Sequence, residues 1–438
     1  MSRTDAIEVV RRLQQAGYDA YFAGGCVRDR LLEVEPADYD VATSALPTEI
    51  EGLFSNTVGV GRRFGILLVP CPNSTVEVAT FRSDGPYEDG RRPESVRYTT
   101  REEDAQRRDF TINAMFEDPI DGRLIDDVGG RNDLDRKILR AVGDPTVRFA
   151  EDHLRLLRAV RFAARLKFSI DPATAAAMRD AAGHLWRVSA ERIGDETVRM
   201  LCDGQARAAM ELLDETGLLG QLIPEVLEMK GCSQSADHHP EGDVFEHTLR
   251  CLGHLPTGCS AELALGVLLH DIAKPRTAVA RNGKHTFYGH TSVGARMAQK
   301  ICHRLRRSNE VSDLVEFLVD QHLKHCAVSQ MKRSTLARFL RQDGIDELAR
   351  LARIDAMGSS GDLSQWEVFR DAIAAMPPEV SRPTPLLNGH DLIDEFGLQP
   401  GPQLGTILTA VEDAQLEGRI ATRQDAVAFV GQHLAESR

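Results

Sequence analysis

None of the eight cysteines (Cys26, Cys71, Cys202, Cys232, Cys251, Cys259, Cys302, Cys326) falls in a Cys-x-x-Cys pair, so neither a zinc knuckle nor a disulfide framework is indicated and reduced thiols are expected. No apolar run approaches membrane-spanning length, and residues 1–12 scatter charge where a signal peptide would carry an apolar core. A soluble, cytoplasmic protein with no membrane contact is expected. Internal repeats at a fixed period and low-complexity segments are also missing. So is positive charge. The 53 Lys and Arg stand against 66 Asp and Glu, a formal net charge of −13, which argues against nonspecific wrapping around nucleic acid because phosphate binding leaves a basic footprint.

Arginine is nonetheless concentrated locally. Arg148, Arg155, Arg158, Arg161 and Arg165 fall in one predicted helical segment, and the last four, spaced by three and four, share a face. An acidic chain can own a basic groove. At 438 residues and 42% hydrophobic content the chain should fold into several domains. Residues 4–17 have helical spacing and stop at Gly17, residues 18–23 and 39–43 read as strands around a Gly-Gly turn, and 65–70 and 75–81 read as two more strands. Residues 83–93 crowd Gly, Pro, Asp and Arg and read as a mobile loop. From about Asp144 the pattern is helical, with breaks near Pro224, Pro240, Pro377-Pro378 and residues 383–389. The expected class is α+β: a small α/β head over residues 1–140, a helical neck over 141–225, a helical domain over 226–375 and a helical tail over 376–438.

The most informative run is Phe22-Ala-Gly-Gly-Cys-Val-Arg-Asp-Arg30, followed by Asp38-Tyr39-Asp40. Gly24 and Gly25 let the backbone turn tightly so that its N–H groups can approach a phosphate, which Arg28 can also reach. On an extended strand Asp38 and Asp40 point to one face, close enough to share divalent cations, and such a pair suits magnesium. Each piece alone is usually only a turn or a solvated strand end; together they fit in-line nucleotidyl transfer. Glu77, alternating with Val76 and Val78, is a candidate third carboxylate, with an exposed strand glutamate as the alternative.

A second run, Arg107-Arg-Asp-Phe-Thr-Ile-Asn-Ala-Met115, sets guanidinium groups beside a carboxylate and an amide, a combination able to bind triphosphate and ribose. Asp152 and Arg155, three apart on the predicted helix, can be held as one unit offering acceptors and donors to a base edge; an intrahelical ion pair is the alternative. Farther on come His247, His270-Asp271, His290, His322 and Asp355. An adjacent His-Asp after the apolar residues 263–269 is a poor surface choice, since a buried charge needs a partner or a metal.

These segments carry a family resemblance. Residues 22–43 and 107–115 resemble motifs A and B of the class II tRNA nucleotidyltransferases and bacterial poly(A) polymerases, within the polymerase beta-like superfamily. The resemblance implies a template-independent polymerase that extends RNA 3′ ends. It implies magnesium on Asp38 and Asp40, a nucleotide contact from Arg108, and a ribose side organised by Asp109 and Asn113. Glu151, Asp152 and Arg155 fill the Glu-Asp-x-x-Arg motif by which such enzymes select CTP and ATP, Arg158 and Arg161 match further nucleotide-binding arginines, and residues 189–196 resemble the neck motif.

Members of this family add all of CCA to tRNA, add part of it, or polyadenylate RNA. Gly59-Val-Gly-Arg-Arg-Phe-Gly-Ile66 shares the Gly-Arg-Arg-Phe core of polyadenylating members but has Gly65-Ile66 in place of their Gln/Arg-Leu. The loop over residues 83–93 is present, whereas CC-restricted enzymes resemble versions with it shortened, and no long basic tail follows Ser381. These features lean toward full CCA addition with the tRNA 3′ end, CTP and ATP as partners. Poly(A) or A-only addition stays open, as does a phosphohydrolase with a regulatory nucleotide-binding head. The histidine–aspartate order, with His239-Pro-Glu-Gly-Asp-Val-Phe-Glu-His-Thr248 and Phe287-Tyr-Gly-His290, resembles the HD phosphohydrolase superfamily. That resemblance implies one or two divalent transition metals activating water for phosphoester hydrolysis.

Overall fold

The structure is a computed structural model that describes residues 2–61, 64–85, 96–234, 242–281 and 284–436. Residues 86–93 of the expected loop, Arg62 and Arg63 of the Gly-Arg-Arg-Phe core, and His239 to Glu241 lie outside the described residues. The chain divides into two compact units, one of residues 1–227 with 304–306 and one of residues 228–303 with 307–438. The boundary expected after residue 225 falls beside this division, while those expected after 140 and 375 lie inside a unit. Among the described residues no helix is long and apolar enough to cross a membrane.

The first unit opens with α1 (Arg3–Gln15), whose N-cap Ser2 accepts from the amide of Asp5 and whose Ala6, Val9, Val10 and Leu13 form a buried stripe. It packs on a seven-stranded sheet of order β3-β4-β5-β2-β1-β8-β9. These strands are β1 (Ala20–Ala23), β2 (Val41–Thr43), β3 (Val58–Gly61), β4 (Ile66–Pro70), β5 (Thr75–Thr80), β8 (Phe116–Glu117) and β9 (Leu124–Ile125); β6 (Arg82–Asp84) and β7 (Val96–Tyr98) pair separately. β2 runs parallel to β5, with Val41 opposite Val78, and antiparallel to β1, with Phe22 opposite Val41. Tyr21, Phe81 and Phe116 meet at ring separations of 6.0–6.5 Å, contacts worth about 0.5–1.5 kcal/mol each beyond their burial. The strand expected over residues 39–43 is shorter: β2 begins at Val41, and Asp38 to Asp40 precede it outside any element.

The rest of this unit is helical. The helix expected to run through residues 149–162 is two helices, Pro145–Glu151 and Leu154–Leu166. Asp152 interrupts them with extended backbone (φ −143°, ψ 104°), because its carboxylate accepts the amide of Leu154 at 3.0 Å and competes with the helical ladder. The neck continues through Ala190–Cys202 and Ala206–Glu215.

In the second unit five helices position the chemistry: α2 (Val244–Gly253), α3 (Ala261–Leu269), α4 (His290–Arg304), α5 (Asn309–Gln321) and α6 (Ile345–Gly358). Asp243, Ser260 and Ser308 cap α2, α3 and α5. α3 is buried from Leu263 through Leu269, and Gly266 is the point of close approach: a Cβ there would lie 2.9 Å from Leu318 Cδ1. The C-terminal helices Pro402–Leu416 and Arg423–Glu436 build a cluster of their own around Leu392, Ile407, Val411 and Val430.

Candidate active site and a buried histidine centre

At the end of β1 the chain turns at Gly24 (φ +76°) into a short helix, Gly25–Leu31. The positive φ favours glycine here, and a Cβ on Gly24 would also crowd the Arg108 guanidinium at 3.0 Å. Arg28 points inward: it is 3% exposed and donates to Asp29 and to the side-chain oxygen of Asn113. It therefore braces Asn113 beneath the site and does not line the cleft.

Asp38 is exposed, Tyr39 is buried against Phe22 at 5.2 Å, and Asp40 is half-buried, so the two carboxylates alternate with a core residue. The Asp40 carbonyl accepts from the amide of Ala23 at 3.0 Å, which ties it to the Gly24 turn. The parallel register of Val41 with Val78 sets Asp40 beside Glu77, one step back along both strands. Burial, then the charges of Asp38 and Glu77, push the Asp40 carboxyl up to about 7 against the pull of Arg108. Burial and Asp38 raise Glu77 as well.

Much of the remaining lining of the cleft is cationic. Asp104, buried, holds two guanidiniums: one carboxylate oxygen accepts from Arg107 at 2.6 and 2.9 Å, the other from Arg108 at 3.0 and 3.2 Å. Asp109 accepts from Arg158 at 2.7 and 2.9 Å and from Asn113 at 3.1 Å. Burial alone would raise Asp109, but Arg158 overrides it and holds the carboxyl at about 2.

Asp152 and Arg155 are not paired with each other. Asp152 takes Arg192 at 2.7 Å, while Arg155 takes Glu151 at 2.5 Å and the carbonyls of Arg148 and Arg107 at 2.9 and 3.1 Å. The cleft, about 390 Å³, is lined by Asp40, Glu77, Arg107, Arg108, Asp109, Asn113, Asp152, Arg155, Arg158 and Arg192. Arg161 is not among them: it is buried against Glu196 at 2.5 Å. Asp104 escaped sequence reasoning, although it stands three and four residues before the two arginines it holds, the spacing of one helical turn; Arg107 and Arg192 were legible only as members of the 107–115 run and the 189–196 neck motif.

In the helical unit the six expected residues converge. Nε2 of His247 lies 3.2 Å from Nε2 of His270 and 3.1 Å from Asp355. One oxygen of Asp271 is 3.4 Å from His270 and 2.6 Å from Lys274 Nζ. Its other oxygen is 3.6 Å from Nε2 of both His290 and His322, beyond hydrogen-bond distance, and is buried without a partner among the described residues. Nδ1 of His270, His290 and His322 faces the carbonyl three residues earlier at 2.7–2.9 Å, an arrangement that fits the Nδ1–H tautomer and turns each Nε2 lone pair inward.

Burial pushes His290 down to about 4, so this ring is neutral. Burial would raise Asp271, yet Lys274 and His270 hold it far below the usual carboxylate range; Asp355 is lowered in the same way by His247 and His270. Among the described residues two groups bring their ligating atoms within 4.8 Å of one another: His247, Cys251, His270 and Asp355, and Asp271, His290 and His322. Cys251 and Lys274 were not anticipated at this centre.

The sequence matches the Poly A polymerase head domain over residues 20–140, the RNA and SrmB-binding site of polymerase A over 167–230, and tRNA nucleotidyltransferase domain 2 over 286–430. It is 32% identical to the CCA-adding enzyme of Lactobacillus johnsonii across 97% of this chain and 96% of that one. Against the CCA-adding enzyme of Geobacillus stearothermophilus, identity is 46% over 49% of this chain and 53% of the relative. Among solved structures, the Bacillus stearothermophilus CCA-adding enzyme in complex with CTP superposes with a TM-score of 0.76 at 27% identity, covering 100% of this chain and 99% of that one. The Thermotoga maritima CCA-adding enzyme complexed with tRNA shares the fold at a TM-score of 0.61 and 19% identity, over 98% and 94% of the two chains.

Proposed function

Because the chain belongs to the family of CCA-adding nucleotidyltransferases, we propose that its head cleft adds C, C and A from CTP and ATP to the 3′ end of tRNA without a nucleic-acid template. One observation carries this reading: a single cleft is lined by the Asp40 and Glu77 carboxylates, by Asp152 and Arg155, and by Arg108, Asp109 and Arg158.

Arg108 and Arg158 receive the triphosphate, and Asp104 keeps Arg108 aimed into the cleft. Asp109, held ionised, orients the sugar together with Asn113, which Arg28 braces from below. Asp152 supplies acceptors and Arg155 donors to the base edge, while Arg192 and Glu151 hold them in place until a base exchanges for those partners. The crowding that lifts Asp40 to about 7 fits a cation-binding role, because a divalent ion relieves the mutual repulsion of Asp38, Asp40 and Glu77. Magnesium bound there supplies charge neutralisation at the leaving pyrophosphate and a more acidic 3′ hydroxyl.

Extension of tRNA transcripts lacking CCA, ending in C or ending in CC tests the reading, with CTP and ATP given singly and together. Arrest at CCA supports it. Addition of A only to the CC-ended transcript makes the protein an A-adding enzyme, and unlimited A addition moves it to the poly(A) polymerases.

The histidine centre supports a second activity, metal-dependent phosphoester hydrolysis. The partnerless oxygen of Asp271 between two inward-facing imidazoles is the feature that fits a divalent ion. His247, His270 and Asp355 would hold one ion, Asp271, His290 and His322 another. Hydrolysis of a 2′,3′-cyclic nucleotide after metal loading, and its loss in His270→Ala, would bear this out; no hydrolysis with any first-row divalent metal would remove it.

A further inference from the structure

His247 and Cys251 lie four residues apart on α2, one turn along the same face, and both are fully buried. Cys251 Sγ is 3.5 Å from His247 Nε2, and it shares a group of mutual spacing under 4.8 Å with His270 and Asp355. At ordinary zinc bond lengths, tetrahedral ligand atoms stand roughly 3.3 Å apart for two nitrogens or nitrogen and oxygen, and about 3.6 Å for nitrogen and sulfur. The separations of His247 from His270, Asp355 and Cys251 are 3.2, 3.1 and 3.5 Å, and that of His270 from Asp355 is 3.8 Å. Asp271, the other candidate for a fourth ligand, has the oxygen that stands 3.4 Å from His270 and 3.8 Å from His247 already engaged by Lys274 at 2.6 Å, and the other turned to His290 and His322. The fold also makes room for the sulfur. A Cβ on Gly358 of α6, three residues past Asp355, would lie 2.4 Å from Cys251 Sγ.

We infer that Cys251 is a thiolate ligand which, with His247, His270 and Asp355, forms a four-coordinate site selecting zinc-like metals over magnesium. This rests on the reading of the histidine centre as a metal site. As the sulfur–metal bond forms, the thiol proton leaves to solvent, and the two anionic ligands, Cys251 and Asp355, balance the dication. A soft thiolate beside two imidazoles disfavours magnesium and calcium, which take oxygen ligands.

The test uses the full chain stripped by chelator and titrated with Co²⁺ alone, which reports tetrahedral binding in its visible bands and a sulfur ligand in a near-ultraviolet charge-transfer band. Both bands are expected for the native chain. Cys251→Ser, matched in size, should fold normally by circular dichroism, lose the charge-transfer band and bind zinc more weakly by more than the roughly 10–100-fold that loss of an outer partner costs. Cys326→Ser should keep the band. Visible bands without charge transfer in the native chain, or a band or zinc affinity unchanged in Cys251→Ser, would overturn the ligand assignment alone. Failure of Co²⁺ to bind with tetrahedral bands would overturn the metal reading as well.

Discussion

The head cleft and the histidine centre both bury carboxylates, yet they drive them in opposite directions. Asp40 has like charges for neighbours and is pushed up to about 7, whereas Asp271 and Asp355 have imidazoles and Lys274 for neighbours and are held low. Desolvation works against ionisation in all three; only the sign of the surrounding charge differs. The head keeps an electrostatic deficit that a cation arriving with its nucleotide can fill, while the helical unit carries its own counter-charge. One site lacks counter-charge until a cation arrives; the other holds its carboxylates ionised in advance of any metal.

Breaking the head side should have the largest effect. Asp40→Asn is expected to lower nucleotide incorporation by at least about 10³-fold, the scale of losing a group that stabilises the transition state, while the melting temperature holds or rises because repulsion is relieved. Extension of a CC-ended transcript and a thermal melt check the two halves; retained incorporation would remove Asp40 from the chemistry.

The mirror experiment is Lys274→Met, which leaves Asp271 buried without its ion-pair partner. It should destabilise the helical unit by about 3–5 kcal/mol, read by urea denaturation, and added zinc should restore part of the loss by replacing the missing positive charge. An unchanged midpoint would mean that Asp271 is not held by Lys274.

A smaller effect separates two arginines of one helix. Arg158→Lys should raise KM for CTP and ATP about 10- to 100-fold, the worth of one charge-assisted hydrogen bond at roughly 1.5–3 kcal/mol. Arg161→Lys, directed at Glu196, should lower stability and leave KM unchanged. Equal effects on KM would place Arg161 in the cleft.

The smallest is a pH effect. Because Asp40 is raised in the fold, its protonated form is favoured there; its stability contribution is full below the unfolded carboxylate range and is lost as pH rises through about 7. Magnesium binds the ionised form, so the rise in melting temperature on adding Mg²⁺ should be larger at pH 8 than at pH 6. Asp40→Asn should flatten that difference, and a shift equal at both pH values would contradict the assignment.

Much of this arrangement could be read in the sequence, for reasons specific to each segment. The Gly24 turn, the alternation around Tyr39 and the run from Arg107 to Met115 are local patterns, and local patterns survive without knowledge of tertiary contacts. Asp355 was the least distinctive residue in sequence, one aspartate on a helix, and yet it lies 3.1 Å from His247, because only the packing of α6 against α2 brings them together. The break at Asp152 was missed because helical periodicity runs through it; a side-chain cap on Leu154 and the pull of Arg192 end the ladder. Arg161 shares the periodicity of Arg158 but meets the neck helix, a partner that spacing does not reveal. Cys251 is not legible as part of the centre because it belongs to no Cys-x-x-Cys pair, and its partner is a histidine one helical turn away.

The anchors of His270, His290 and His322 are main-chain carbonyls of Val267, Phe287 and Val319, and the side chains at those three positions take no part in the bond. Ring orientation is thus written into the backbone geometry at helix ends, where any residue that keeps the local turn supplies the same acceptor. The bonds that aim these three rings are therefore indifferent to side-chain identity, whereas packing is not: Val267 and Val319 are buried in the core and the Phe287 ring lies 5.6 Å from Lys274 Nζ.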